Sequence, residues 1–395
     1  MYLTKKIRLL PTKEQEVLFW KSAGVARWSY NYFLSESYRV YQEWLEDNSK
    51  PKHISEMDVR KYINNVLKKT THTWLKDVGS NVMKQGVKDA NIALQNFFKH
   101  GKGYPKFKSK KRSKPSFYVN YESLKRTPNG FQGEKIGAVK TRESLPKIPK
   151  NQKYRNPRIS FDGRFWYLSV GYRVEKRQVE LTDDKIGIDV GLKDLAIVSN
   201  TDISYTKKYR NINKGYRIKL IEKRLKRSQR KLSRKILNNI ESYSKNRVPT
   251  YTRPLEDCKN IQKQKHIIQG LYRKLTNIRI NYIHQVTTDI VKNKPSRVVL
   301  EDLNIKGMVK NKHLSKSVSE SKLYEFRRQI EYKAELYGIE VVIADRWYPS
   351  SKTCSCCGNV KKDLKISDRV YRCNECGNVI DRDVNASINL ARYQI

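Results

Sequence analysis

Acidic residues are scarce here relative to basic ones. Across 395 residues, 39 Asp and Glu stand against 83 Lys and Arg, leaving a formal charge of +44. A small soluble domain usually holds a net charge of roughly 2 to 8, so a surplus of this size calls for an acidic partner. Long apolar runs are missing too. No stretch approaches the roughly 20 apolar residues that cross a bilayer, and no signal-peptide pattern opens the chain, so neither a membrane-spanning nor a secreted protein is expected. Scattered cysteines are also lacking. Of six, Cys354, Cys356, Cys357, Cys373 and Cys376 fall within 23 residues and only Cys258 stands apart. A disulfide framework would spread them and need an oxidising compartment. What is present excludes a disordered basic tail, because 38% hydrophobic and 10% aromatic content is enough apolar mass to fold. The length suits two or three domains. The class that remains is a cytoplasmic nucleic-acid-binding protein.

Patterning divides the chain. Residues 1–10 read as a strand, with Leu3, Ile7 and Leu9 alternating with basic residues, and Pro11-Thr12 starts a helix. Apolar residues then recur at three and four to about residue 98, which predicts a helical lobe over 11–100. The segment 101–115, GKGYPKFKSKKRSKP, holds seven basic residues and no acid. Short strands follow, the clearest being RISFDGRFWYLSVGY with an Asp162-Gly163 turn. A β-rich module is expected over 101–182, joined by the first strand. From 183, KIGIDVGLKDLAIVSN predicts a buried strand, a tight turn and a second strand. A basic stretch over 207–235, with 14 Lys or Arg and one Glu, reads as helical. RVVLEDL is a strand ending in two acids, another helix and strand run to 344, and the last helix is expected from about Asn385.

The cysteines give the sharpest motif. Cys354-x2-Cys357 and Cys373-x2-Cys376 are separated by fifteen residues, and Gly358 or Gly377 follows each pair. Four thiolates at this spacing suit one tetrahedral Zn2+ and leave no position open for water, so the metal would be structural. Cys356 is a spare. Three acids form a second candidate group: Asp189 within IGIDVG, Glu301 at the end of VVLE, and Asp383 in DRDVNAS. An ionised carboxylate on an apolar strand is costly without a cation, and three from separated segments could hold two divalent metals for phosphodiester hydrolysis. Spacing leaves Asp302 and Asp381 as competitors. An acid in a first strand, a second strand close behind it, a later strand ending in Glu and a final Asp at a helix together describe a ribonuclease-H-like arrangement.

These segments, with KKIRLLPTKEQEVLFWKSAGVARWSYNYFL, GYPKFKSKK, RSQRKLSRK and NIRINYIHQ, resemble the TnpB family over nearly the whole chain. That family comprises transposon-encoded RNA-guided DNA endonucleases similar to the compact type V CRISPR effectors. The resemblance implies a multi-domain α+β and α/β fold. A helical recognition lobe (11–100) and a β-barrel-like wedge module (1–10 and 101–182) would precede a RuvC-like nuclease domain (183–350). A zinc ribbon (351–380) would be inserted before a final RuvC-like segment (381–395). It implies that Asp189, Glu301 and Asp383 are catalytic metal ligands, choosing Asp383 over Asp381, and that Cys354, Cys357, Cys373 and Cys376 hold Zn2+. Mg2+ is the expected catalytic cation, with Mn2+ an alternative. It implies a guide RNA and a double-stranded DNA target as partners, together with a co-encoded transposase, in the cytoplasm or nucleoid of a prokaryotic cell. Two departures stand out: extra residues between 236 and 266, and a short tail after Asn385.

For nucleic-acid contact the expected residues are Lys106, Lys108, Lys110, Lys111 and Arg112 in the basic loop, and Arg224, Arg227, Arg230, Lys231 and Arg234 in the basic helix. Tyr104 and Phe107 could stack on a base or pack. Ser80, Asn81, Lys84 and Gln85 are carried from the family as readers of a short motif beside the target. Three rival readings stay open: an RNA-guided regulator that does not cut, an unguided transposase, and a zinc-ribbon binding protein. The last leaves Asp189 and Glu301 on apolar strands unexplained.

Overall fold

In the computed structural model, residues 1–365 and 367–394 are described. The chain forms two compact units, Tyr2–Val174 and Glu175–Ile395. The first opens with β1 (Tyr2–Leu10) and α1 (Lys13–Glu46). Thr12 caps α1 through a reciprocal capping box with Gln15, as the Pro-Thr signal predicts. Helices α2 (Glu56–Tyr62) and α3 (Ser80–His100) follow, then β2 (Ser116–Tyr118), β3 (Lys125–Thr127), β4 (Gly130–Gly133), β5 (Gly137–Thr141), β6 (Arg155–Phe161) and β7 (Trp166–Arg173). The seven strands pair in the order β2-β6-β7-β1-β5-β4-β3. Strand β1 joins the two halves of this sheet. Its residues 2–8 pair with β7 and its last two with β5. No pairing closes β2 onto β3 among the described residues, so the expected barrel is an open antiparallel sheet, its far strands too short to curl round. The helices have no core of their own. Phe19 of α1 packs at 5.7 Å from Phe117 and 5.2 Å from Trp166, ring centre to ring centre, all three fully buried. Helical lobe and β module thus share one apolar core.

The second unit begins earlier than residue 183. The Arg177 N–H already donates to the Leu336 carbonyl and that of Thr182 to Lys294, which draws 175–182 into this unit. Strands β8 (Thr182–Val190), β9 (Asp194–Asn200), β10 (Thr206–Arg210), β13 (Pro295–Glu301) and β14 (Glu340–Ala344) form a sheet in the order β10-β9-β8-β13-β14. Between β10 and β13 lie α4 (Tyr216–Leu237), a hairpin of β11 (Ile240–Tyr243) and β12 (Pro249–Tyr251), and α5 (Lys259–Lys292). Then come α6 (Ile305–Lys310), α7 (Ser315–Ser321), α8 (Leu323–Tyr337), the pair β15 (Val370–Arg372) and β16 (Val379–Asp381), and α9 (Arg382–Ala391). Two expectations are corrected here. The start of 207–235 is strand rather than helix, because β9 offers it an unpaired apolar edge from Ala196 to Ser199. The last helix begins at Arg382, three residues before Asn385, because Asp381 caps it.

Both faces of this sheet are covered, which is why its central strands read as continuous apolar runs. Side chains alternate along a strand. Ile186, Ile188, Val298 and Leu300 pack with Ile283, Ile290, Phe326 and Ile330 of α5 and α8. The alternate positions, Gly187 and Val299, face α9, and Leu390 packs on Val299. A Cβ at Gly187 would lie 2.1 Å from the Ser387 carbonyl oxygen and 2.2 Å from the Ala391 nitrogen. Only glycine lets the helix backbone come this close to the strand. Ser199 and Ser387 share a buried hydrogen bond of 2.7 Å at the same contact.

Candidate active site and metal centre

The site follows from that alternation. Asp189 lies two residues beyond Gly187 and Glu301 two beyond Val299, so both carboxylates point to the side that α9 covers. The strands are parallel neighbours and Ile188 pairs with Leu300, so the two acids are the next residues on adjacent strands. Asp383, in the first turn of α9, completes the group. All three line one cavity of about 280 Å³, together with Ser350, Ser351, Arg369 and Arg382. Burial first, and then the charges of Asp383 and Glu301, push the Asp189 carboxyl up to about 8. Burial, followed by Asp302, raises Glu301 as well. Positive charge is close by: Arg382 Nη2 lies 3.1 Å from Asp383 Oδ1 and Arg369 Nη1 3.9 Å from Oδ2.

The competing acids are engaged elsewhere. Asp381 accepts from the N–H groups of Asp383 at 3.0 Å and Val384 at 3.2 Å, and pairs with Lys208 at 2.9 Å. These bonds outweigh its burial and hold its carboxyl below the usual range. Asp302 pairs with Arg327 and Arg346, and the Arg346 hydrogen bond, above all, lowers it. Neither lines the cavity. Of the adjacent acids, Asp189, Glu301 and Asp383 line the cavity, while Asp302 and Asp381 are held in ion pairs and a helix cap.

The four cysteines converge. The sulfurs of Cys354, Cys357, Cys373 and Cys376 all lie within 4.8 Å of one another, with Cys354 Sγ 3.7 Å from Cys376 Sγ and Cys357 Sγ 3.6 Å from Cys373 Sγ. Tetrahedral Zn2+ with Zn–S bonds near 2.3 Å would hold its sulfurs roughly 3.8 Å apart, so the spacing fits. Each pair sits on a repeated turn. The N–H of Cys354 donates to Asn359 O and that of Cys373 to Asn378 O. Gly358 and Gly377 take left-handed φ values of 79° and 71°, which a side chain rarely adopts. Burial opposes ionisation of Cys354, but hydrogen bonds from the Cys357 and Cys356 N–H groups win and bring its thiol down to about 6. Cys356 is exposed and outside the group, and Cys258 is remote in sequence. Among the described residues no other set of three or more such side chains is gathered as tightly; the three carboxylates share their cavity more loosely.

The expected nucleic-acid contacts fall into two groups. Arg224, Arg227, Arg230, Lys231 and Arg234 are all exposed along α4. The opposite stripe of that helix, Ile218, Ile221 and Leu225, packs on Ile268 and Leu275 of α5. Lys106, Lys110, Lys111 and Arg112 are exposed in their loop, as are Tyr104 and Phe107. Tyr104 meets Phe97 edge-on at 5.3 Å. Lys108 behaves differently. Its ammonium lies 3.6 Å over the Tyr30 ring and its backbone bonds twice to Asn31, so it pins the loop to α1. Ser80, Asn81, Lys84 and Gln85 are half-buried at the start of α3. Gln85 is already engaged, donating to Asp89 at 2.8 Å, and the helix is capped by Gly79 rather than by Ser80. Sequence reasoning missed Arg369, Arg382, Ser350 and Ser351 around the acids. Proximity to Asp383 in sequence was a signal for Arg382; nothing marked the others.

Comparison with known proteins agrees with this anatomy. A family model described as "Cas12f1-like, TNB domain" matches residues 324–390, which hold the four cysteines and Asp383. The OrfB model described as "Probable transposase" matches 169–312, which hold Asp189 and Glu301. A further OrfB model, "Helix-turn-helix domain", matches 1–45, where the structure has a strand and one unbroken helix. A Streptomyces pristinaespiralis protein provisionally named an RNA-guided DNA endonuclease is 27% identical over 392 residues, 98% of this chain and 87% of its own. A TnpB-like protein of Acanthamoeba polyphaga mimivirus is 24% identical over 98% of this chain and 72% of its own. The cryo-EM structure of a Cas12f1–sgRNA–target DNA complex superposes with a TM-score of 0.57 at 14% identity, covering 99% of this chain and 98% of that one, which establishes a shared fold. Over nearly its whole length the chain is thus similar to proteins named as RNA-guided DNA endonucleases and as TnpB-like, and its middle third matches the OrfB model.

Proposed function

We propose that this chain is an RNA-guided DNA endonuclease that hydrolyses both strands of a DNA duplex at a single RuvC-type carboxylate site. One observation carries the reading: Asp189, Glu301 and Asp383 meet in one cavity while Asp302 and Asp381 are tied up beside them. Three carboxylates in one cavity, with Asp189 lifted to about 8 by burial and then by the charges of Asp383 and Glu301, are an oxygen-only donor set in want of positive charge. That suits hard divalent cations, Mg2+ first and Mn2+ second. Such cations, when bound, lower the pKa of a water and stabilise the leaving oxygen of a phosphodiester. Asp189 and Glu301 hold one wall from adjacent rigid strands, and Asp383 supplies the other from a helix. Arg369 and Arg382 give the cavity mouth positive charge suited to a phosphate. The four sulfurs fit a structural Zn2+.

Relatives named as RNA-guided DNA endonucleases support the substrate assignment. In that reading the guide pairs with the target and reads its sequence, while the protein reads a short adjacent motif. The first unit would hold the guide RNA and that motif, and the second the nuclease centre and ribbon. No described helix is long and apolar enough to cross a membrane, in keeping with action at the nucleoid. The test is to express the protein with its native flanking DNA and sequence the RNA that co-purifies. One defined, structured RNA running into flanking sequence is expected. A heterogeneous smear stripped by high salt would overturn the guided reading and favour an unguided transposase.

A further inference from the structure

The four-cysteine site and the acid cavity are joined by two buried asparagines that neither assignment uses. Asn385 is 0% exposed and Asn389 4%, and they lie four residues apart, on one face of α9. Asn385 uses both ends of its amide on the backbone flanking Cys354. Its Oδ1 accepts from Ser355 N at 2.9 Å and its Nδ2 donates to Thr353 O at 2.7 Å. The residue between these two bonds is a metal-site ligand. Asn389 Nδ2 donates to Ser350 O and to Thr353 O, each at 2.7 Å. Arg392 adds a bond to Ser355 O. The opposite side of α9 is fixed on the sheet at Gly187 and Ser199. Asp383 is two residues before Asn385 on the same short helix, and Ser350 and Ser351, at the start of the clamped segment, line the acid cavity.

We propose that Asn385 and Asn389 are positioning residues through which the metal-bound cysteine knuckle sets the place of Asp383. The physical argument is one of constraint. The sheet contact fixes one face of α9, through Val384 and Ile388 on Ile197, Leu390 on Val299 and the close approach at Gly187, but leaves the ten-residue helix the freedom to rock about that face. The amide of Asn385, bridging the residues on either side of Cys354, removes that freedom only while the sulfurs hold their own arrangement. A metal at the sulfurs therefore acts on the carboxylate site without taking part in its chemistry. Groups that orient ligand-bearing elements typically change metal affinity or activity by about 10- to 100-fold when removed. This inference rests on the reading of Asp383 as a ligand of the reaction's cations.

The experiment uses the full chain with its guide RNA, as wild type, Asn385→Ala, Asn389→Ala and Asn385→Asp, with zinc content measured for each. Three quantities are read: Mn2+ affinity by electron paramagnetic resonance, kcat and KM for target cleavage, and hydrogen exchange of the peptide spanning 381–392. With one zinc retained per chain, the alanine variants should bind Mn2+ about 10-fold more weakly or worse. They should lose kcat by a similar factor at unchanged KM, and exchange faster at the start of α9. Asn385→Asp keeps the acceptor for Ser355 N and should lie between. Stripping zinc from the wild type should reproduce the exchange pattern of Asn385→Ala. Unchanged Mn2+ affinity, kcat and exchange, with only a lower melting temperature, would overturn the proposal. If the wild type itself neither binds Mn2+ nor cuts, the reading of the acids fails. The exchange data then still decide whether the knuckle orders α9.

Discussion

Burial, and then the charges of both Asp383 and Glu301, act together on Asp189. Its carboxyl, lifted to about 8, is largely protonated at neutral pH in the metal-free protein. A cation needs it ionised, so a proton must leave when the cation binds. The sign follows: Mn2+ affinity should rise with pH, by up to about tenfold per unit below pH 8, and level off above it. Calorimetry in buffers of different ionisation heat would read the released proton, and a pH-independent affinity would contradict the arrangement. Asp189 and Glu301 were legible in the sequence because an acid inside an apolar strand is costly and so conspicuous. Asp383 and Asp381 were not separable by spacing. What separates them is a cap and a lysine partner: Asp381 bonds the first N–H groups of α9 and Lys208, which is 173 residues away in sequence. Asn385 and Asn389 were invisible as a clamp, since their partners lie 30 to 39 residues back in an irregular segment. Short polar side chains in a helix ordinarily suggest an exposed face.

Helix α4 shows how an element's two faces divide the work. Its apolar stripe, legible at three- and four-residue spacing, is buried on α5, and its basic residues are left in solvent. If Arg224, Arg227, Arg230, Lys231 and Arg234 meet duplex phosphates, replacing all five by Gln should reduce the slope of log K against log salt by about 4 to 5. An unchanged slope would mean that this face is merely solvated. In the first unit, Asp89 of α3 takes both guanidinium nitrogens of Arg158 on β6 at 2.7 Å. Burial opposes it, but the Arg158 and Gln85 hydrogen bonds keep its carboxyl below the usual range. A depressed folded value stabilises above the ordinary Asp range and is lost as pH falls through it. Asp89→Asn should therefore cost about 2 kcal/mol at neutral pH, with the gap to wild type closing below about pH 4; urea titrations at both pH values would measure it. The segment 207–210 was misread because strongly basic sequence carries little periodicity. Its strand character comes from the β9 edge, a partner that no local pattern reveals.

For the molecule as a whole, the charge of +44 and the spacing of the cysteines and acids exclude most classes of function from the sequence alone. In the second unit the strand pair at 185–200, the strand ending at Glu301 and the cysteine turns were legible because buried strands and knuckles have strong local signatures; β10, the β11–β12 hairpin and α5 were not. The division of the first unit was not legible either. The strand at residues 2–10 was expected to join the β module and pairs with 166–173, but that the helices at 13–100 close the same core leaves no local trace. Nor did the sequence place the break at 174, since 175–182 joins the second unit through residues more than 100 positions away, by the backbone bonds of Arg177 and Thr182 and by Arg177 on Tyr337. The most direct test of the account is cleavage of two plasmids, each carrying a different target, by wild type and Asp189→Ala loaded in turn with each matching guide. The account predicts that wild type cuts only the plasmid matching its guide, and that the variant binds the same plasmid but leaves it intact. Cutting that ignores the guide, or that persists in Asp189→Ala, would contradict it.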